Sequence, residues 1–322
     1  MKSALLFPAL IATACCCLAA NYEHQLSSVT VYIGLCDASA AVSLSSDTFV
    51  AASDENNTLR IYRDGQKQPL SEAALSNFLE LETEHPEADI EGAARIDDTV
   101  FWICSHGANT EGHKRPNRRR LFATKLKSDN SGIKLVPDGS PYKHLVRDLK
   151  NDARLVDFKL GDAAELPPEK PGGLNIEGLS ATPEGDLLIG FRNPIPQGKA
   201  LLIPLKNPHK IMDGHDANLG QPVLLDLGGR GIRSIDYLPL QHLYLIVAGA
   251  IDDQQNFALF QWSGVASDQP KIVKGPKFDM LHPEALFLDR GHDPQVHFLS
   301  DDGQVKIGTT SMECKDLTAS QQ

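Results

Sequence analysis

The chain has 322 residues, 41% of them hydrophobic and 23% charged, enough apolar material for a substantial core and too little charge for a disordered chain. Acidic side chains outnumber basic ones 42 to 31, and a net charge of −11 excludes a general nucleic-acid or anionic-membrane binder. One large domain or two modest ones fit within these limits.

Residues 1–20 come first and read as a secretory signal. Lys2 precedes an apolar run over 4–14, and Leu18-Ala19-Ala20 suits cleavage before Asn21. The alternative is a lipoprotein signal at Ala12-Thr13-Ala14-Cys15, anchored through Cys15, although the usual Leu three residues before the Cys is missing. No later segment approaches the ~20 apolar residues of a spanning helix. The expectation is an exported protein, periplasmic or secreted, with one domain over 21–322.

Cleavage removes Lys2, so the mature charge becomes −12, and it also removes Cys15, Cys16 and Cys17. Cys36, Cys104 and Cys314 remain, enough for one disulfide in an oxidising compartment. Cys36 and Cys314 lie near the two ends and pair only if those ends meet. Cys104 closes the apolar run Val100-Phe101-Trp102-Ile103 and reads as a buried thiol.

From residue 38 onward one unit recurs. Its first run is Ala38-Ser39-Ala40, then Ile90-Glu91-Gly92, Ile176-Glu177-Gly178, Ile232-Arg233-Ser234 and Pro283-Glu284-Ala285. A second apolar run follows each, at 48–52, 100–104, 187–191, 243–248 and 296–299, and a third at 59–62, 121–126, 200–205, 257–262 and 305–307. β-Branched and aromatic residues between Gly, Pro, Asp and Asn make these strands. The middle residues of the first runs, at 39, 91, 177, 233 and 284, are 52, 86, 56 and 51 residues apart. A period near fifty with three or four strands per unit predicts an all-β, single β-propeller of five blades. Six is the alternative, because the 86-residue interval has room for another. The run at 29–33 has no unit of its own and is expected as the outer strand of the last blade, next to 305–307. That closure brings Cys36 and Cys314 together. The long interval holds a helical insertion near 141–160, and a short helix is expected over 75–81. The Pro-rich stretch 167–173 is a rigid connector into the third unit.

Several motifs resemble the bacterial family known as domain of unknown function 3616. They are Asp89-Ile90-Glu91-Gly92-Ala93-Ala94 with Ser105-His106-Gly107, Arg115-Pro116-Asn117-Arg118 before Leu121-Phe122-Ala123-Thr124, Leu174-Asn175-Ile176-Glu177-Gly178-Leu179, Gly190-Phe191-Arg192-Asn193-Pro194, and Leu227-Gly228-Gly229-Arg230-Gly231-Ile232-Arg233-Ser234. The resemblance covers the whole mature chain and brings no activity with it. More loosely, the acid-Gly pairs look like those of calcium-dependent lactonase and phytase-type propellers, which implies a metal held by acids in the channel. Ser39 and Arg233 depart from that pattern.

In a propeller the innermost strand of each blade starts at the channel face where the next strand ends. The starts are Ser39, Glu91, Glu177, Arg233 and Glu284, and the ends are Asp54, His106, Arg192, Gly249 and Asp301. Carboxylates converging on a desolvated channel need cations. Arg192 and Arg233 can supply them as ion pairs. The other solution is a hard divalent ion, Ca²⁺ suiting an oxygen cage built by Glu91, Glu177, Glu284, Asp54 and Asp301. His106 is the candidate general base, and Arg192, Arg233, Asn193 and Arg118 the candidate ligand-binding residues. No Asp-His-Ser spacing or Gly-x-Ser-x-Gly elbow marks a hydrolase triad. Lys114, Arg115, Arg118, Arg119 and Arg120 form a basic run without interleaved aromatics, so it reads as a solvated loop with some acid pairing; a polyanion site, or one phosphate or carboxylate held near the mouth by arginine forks, is the alternative.

The expected function is binding of a small polar or anionic molecule at the channel mouth. A metal-dependent hydrolase of phosphoesters or lactones is the alternative, and a structural protein-interaction module the third. Oligomeric state is left open.

Overall fold

The computed structural model describes residues 28–35, 37–129, 132–252, 254–274, 278, 281–291, 294–301 and 315–321. The signal segment 1–20, Cys36, Cys314 and the run 305–307 lie outside the described residues.

Five four-stranded antiparallel sheets form the blades of a propeller. Blade 1 contains β2 (Ala38–Ser43), β3 (Thr48–Ser53), β4 (Asn56–Arg63) and β5 (Ser71–Ala74). Blade 2 contains β6 (Ile90–Ile96), β7 (Thr99–Cys104), β8 (Leu121–Asp129) and β9 (Gly132–Tyr142). Blade 3 contains β10 (Asn175–Ala181), β11 (Leu187–Asn193), β12 (Ala200–Leu205) and β13 (Val223–Leu225). Blade 4 contains β14 (Gly231–Leu238), β15 (Leu243–Gly249), β16 (Ala258–Trp262) and β17 (Lys271–Ile272). Blade 5 is completed from both ends of the chain: β18 (Pro283–Leu288), β19 (Val296–Ser300), β20 (Lys315–Gln321) and, outermost, β1 (Ser28–Ile33).

The innermost strands β2, β6, β10, β14 and β18 touch in a closed ring, each against the next. Blade 5 corrects one expectation: the strand between β19 and β1 is β20, not a strand at 305–307. The 86-residue interval holds no sixth blade among the described residues. Its length goes into the 11-residue strand β9 and a helical insertion, α1 (Leu145–Asn151) and α2 (Leu160–Ala163). Residues 75–81 make a turn closed by Leu79 N–H on the Leu75 carbonyl, and no helix follows.

Each junction between blades has its own apolar cluster. Trp102 and Val100 meet Val50 and Ile61 between blades 1 and 2. Phe101 and Ile103 meet Ile176 and Phe191 between blades 2 and 3, where Leu145, Leu149 and Leu160 of the insertion join them. Ile232 and Ile246 meet Leu202 between blades 3 and 4. Val247 and Leu259 meet Phe298 between blades 4 and 5, and Phe287 meets Phe49 and Tyr62 between blades 5 and 1. Sheets covered on both faces have no solvent side, which is why β3, β7 and β11 are apolar without alternation.

The glycines of the Glu-Gly pairs serve this packing. A Cβ on Gly178 would lie 2.7 Å from Ile232 Cγ2, and one on Gly92 3.0 Å from both the Glu177 carbonyl and Leu179 Cβ. The next blade's inner strand passes too close for a side chain.

Candidate functional site

Every inner strand carries a β-bulge near its start. The pairing jumps from Ala38 to Ala40, Ile90 to Gly92, Ile176 to Gly178, Ile232 to Ser234 and Pro283 to Ala285. The skipped residues are Ser39, Glu91, Glu177, Arg233 and Glu284, the five that the repeat alignment selects. A bulge leaves its extra residue unpaired and re-aims its side chain. Here Glu91, Glu177, Arg233 and Glu284 line one opening of the channel, under a cavity of about 1370 Å³. Ser39 instead turns its Oγ to the Ile90 carbonyl of the next blade.

Opposite each bulge, the second-strand residue that follows the partner of Ala38, Ile90, Ile176, Ile232 or Pro283 is Asp54, Ser105, Arg192, Gly249 or Asp301. Four of the five expected there are correct. His106 is not: the blade 2 position belongs to Ser105, which lines the cavity. A one-residue slip sends a strand side chain to the other face. His106 is 0% exposed, with Nδ1 2.7 Å from the Cys104 carbonyl, and burial lowers its pKa to about 4. It does not line the cavity, so the mouth position expected for a general base is corrected.

The charged ring divides into two halves. In blades 3 to 5 it is closed by arginine. Arg192 Nη1 lies 3.0 Å from Glu177 Oε1, which also accepts from Asn175 Nδ2 at 2.9 Å. Arg192 Nε and Nη2 donate to the carbonyls of Ala250 and Asp252, both at 3.0 Å. Arg233 pairs with Glu284, stands 3.5 Å from Glu177 Oε2, and lies over the Phe257 ring at 5.5 Å. Burial works against the Arg233 charge, but Glu177 and Glu284 more than offset it and hold its pKa above the ordinary value. Burial also raises the Glu284 carboxyl, with Arg233 pulling it back. Both guanidiniums are thus already engaged.

In blades 1 and 2 the one bulged acid, Glu91, forms no ion pair with an arginine among the described residues. Asp54, Asp89 and Glu91 each offer a carboxylate oxygen, all within 4.8 Å of one another. Glu91 is only 9% exposed, and its carboxylate has no hydrogen bond or ion pair among the described residues. Asp54 Oδ1 is also buried without a hydrogen bond. Burial pushes Asp54 up to about 10, with Glu284, Asp89, Asp37 and Asp301 adding repulsion. Burial raises Glu91 well above its ordinary value too, followed by Asp89, Glu177 and Asp54.

Asp89 accepts from Ser105 Oγ and forms an ion pair with Arg118 Nη1 at 3.0 Å, while Arg118 Nη2 reaches Glu87 at 2.7 Å. Asp89 is missing from the expected set although it stands two residues before Glu91. The same offset places Asp37, Asn175 and His282 before Ser39, Glu177 and Glu284, and that recurrence was the available signal. His282 lines the cavity with Nε2 2.6 Å from Gln255 Nε2 and Nδ1 3.0 Å from the Asp301 carbonyl. Asp301 lines it as well and bridges Asp37 through the backbone.

Two other expected residues serve the walls. Asn193 Nδ2 donates to the carbonyls of Pro168 and Lys170, pinning the connector whose Pro168 and Glu169 form one side of the cavity. In the basic run, Arg120 donates to the carbonyls of Leu79, Glu80 and Pro116, and Arg119 to that of Ala164. Arg115 differs: it lines the cavity with no carboxylate partner among the described residues, its one hydrogen bond going to Lys114 O at 3.5 Å.

These features define an all-β propeller with a mixed-charge channel mouth. The model of the family described as "Protein of unknown function (DUF3616)" matches residues 37–133 and 123–294, and the chain belongs to that family. No curated protein matches the sequence. Among solved structures it is similar to the α-L-arabinofuranosidase PaAbf62A from Podospora anserina, at 9% identity over 89% of this chain and 91% of that one, TM-score 0.48. Glutaminyl cyclase from Myxococcus xanthus is similar at 11% identity over 90% and 95%, TM-score 0.47. The gluconolactonase XC5397 from Xanthomonas campestris is similar at 12% identity over 92% and 90%, TM-score 0.42.

Proposed function

We propose that the protein is a cation-dependent binder of a small polar or anionic ligand, with a divalent ion on Asp54, Asp89 and Glu91 at the floor of the cavity. The carrying observation is the convergence of three carboxylate oxygens around Glu91, a buried acid whose carboxylate makes no ion pair among the described residues. Two oxygens that each lie 2.3–2.6 Å from one Ca²⁺ can be at most about 5 Å apart, and these three satisfy that limit. An all-oxygen set selects Ca²⁺ or Mg²⁺ over thiophilic metals. Coordination positions on the cavity side are left for oxygens of the ligand, and Arg115 offers its guanidinium to an anionic end.

Ligand binding is favoured over hydrolysis because His106 does not reach the cavity and the imidazole that does, His282, has both ring nitrogens engaged, by Gln255 and by the Asp301 carbonyl. Residues 1–20 support export, which makes Asn21 the expected N-terminus of the mature protein.

The test is calcium titration by calorimetry on mature protein stripped with EDTA, together with elemental analysis before stripping. One ion per chain is expected, abolished in the double variant Asp54→Asn/Glu91→Gln and retained in Glu284→Gln. Absence of stoichiometric binding at millimolar calcium, or equal binding by the double variant, would overturn the assignment.

A further inference from the structure

The opposite end of the channel carries a second opening that the calcium site does not use. The far ends of all five inner strands contribute to it, and its cavity measures about 1020 Å³, close to the ~300–1,000 Å³ range of small-molecule sites. Its surface is unlike that of the first. Tyr237 and Tyr244 form an aromatic wall with ring centroids 4.9 Å apart. Leu240 and Val265, 66% and 52% exposed, stand at its lip, two of the few large apolar side chains that the described surface leaves open.

The other side is basic. Arg95 comes from blade 2 and Arg290 from blade 5, and they flank the turn of blade 1 between them. Arg95 is fixed there by donating to the carbonyls of Leu44 at 2.6 Å and Asp97 at 2.6 Å, and the Arg290 backbone N–H reaches Ser45 O at 3.4 Å. Neither guanidinium has a carboxylate within ion-pair distance among the described residues. Asp98 and Asp97 act on Arg95 from a distance, and the two acids that line the opening on this side bond backbone amides. Asp236 accepts from the Tyr237 and Leu288 N–H groups, and Asp289 from those of Gly291 and Gln295. Glu184 lines the same opening and carries a charge that would repel a second anionic group. The two arginines are close enough for Arg290 to help lower the Arg95 pKa, after burial.

We propose that this opening binds a small amphipathic monocarboxylate, its carboxylate between Arg95 and Arg290 and its apolar body against Tyr237, Tyr244, Leu240 and Val265. Two neighbouring guanidiniums with no carboxylate at ion-pair distance among the described residues leave room for an anion, and planar guanidiniums match a carboxylate's two oxygens. The apolar wall excludes a bare inorganic anion as the preferred occupant, since the tyrosines and Leu240 would gain nothing from it.

The test uses 2-naphthoate and its uncharged analogue 2-naphthalenemethanol, titrated by calorimetry into the full mature chain in EDTA. Naphthoate is expected to bind one per chain and at least tenfold more tightly than the alcohol. Arg290→Met, at an exposed side chain, should weaken naphthoate at least tenfold and leave the alcohol unchanged, whereas Leu240→Ser should weaken both. Asp54→Asn/Glu91→Gln should alter neither, which keeps this site separable from the calcium site. Equal affinity for the two probes, or naphthoate binding insensitive to Arg290→Met, would overturn the proposal.

Discussion

Removing Arg192 tests whether the arginine half of the ring is held by a buried ion pair. Its guanidinium and the Glu177 carboxylate are 7% and 4% exposed, and Arg192 makes three bonds of 3.0 Å, one to Glu177 and two to carbonyls. Arg192→Met leaves Glu177 with Asn175 and a 3.5 Å contact to Arg233. Breaking a buried pair from one side costs about 3–5 kcal/mol. Unfolding entropy of about 2.1 cal/mol/K per residue gives about 0.7 kcal/mol/K for a chain of this length, hence a fall in Tm of about 4–7 °C. The buried indoles of Trp102 and Trp262 report unfolding by fluorescence in urea. Glu177→Gln should lose a comparable amount, and the double variant far less than the sum, with a coupling of at least about 2 kcal/mol. A coupling below about 0.5 kcal/mol would show that the two side chains do not act as a unit and refute the division of the ring. The losses should be the same in calcium and in EDTA.

Other outcomes follow from the same contacts. His106 in the folded state has a pKa of about 4, below the ordinary 6.5, so the unfolded chain takes up its proton first as pH falls. Its contribution is whole above pH 6.5 and is lost towards pH 4, about 3 kcal/mol in all. Asp236, raised to about 6 by burial, slopes the other way, as do the raised carboxyls Asp54, Glu87, Glu91 and Glu284, so the His106 contribution is read from the difference between variant and wild type. Urea unfolding between pH 4 and 6.5 should show His106→Asn, which tolerates the site's positive φ of 58°, losing stability less steeply with acid than wild type; parallel curves would count against the buried neutral imidazole. Gly178→Ala should destabilise by about 1–3 kcal/mol in thermal melts, because its Cβ would stand 2.7 Å from Ile232 Cγ2. The pairing of Ile33 with Lys315 in blade 5 leads us to expect a Cys36–Cys314 disulfide with Cys104 free, to be read by peptide mass mapping without reduction. Mapping that finds Cys104 in the bridge would contradict this.

The propeller was legible because its inner and second strands are repeated and buried on both faces. Apart from β1, the outer strands were not. β5 and β17 are half-exposed to exposed and carry little apolar pattern, and β13, though apolar, is only three residues long; they form because an edge is available to pair with. The last blade's third strand was misplaced for a related reason: β20, with its polar Lys315-Asp316 start, shows no apolar run to compete with 305–307.

The site divides along the same line. Ser39, Glu91, Glu177, Arg233 and Glu284 could be aligned from sequence because each opens an inner strand and is flanked by small or apolar residues. That each sits on a bulge, and that the matching blade 2 residue is Ser105 and not His106, depends on strand register, which one residue of slip reverses. The sequence by itself determined the repeat, favoured five blades over six, and aligned the five residues that open the inner strands; it missed Asp89 and His282 and put His106 where Ser105 stands. Only the tertiary structure decided that Glu177 and Glu284 are met by arginines while Glu91 is left with Asp54 and Asp89. Neutralising a buried carboxylate depends on a partner about 3 Å away on another blade, and that distance is set by closure of the ring, which no single unit encodes.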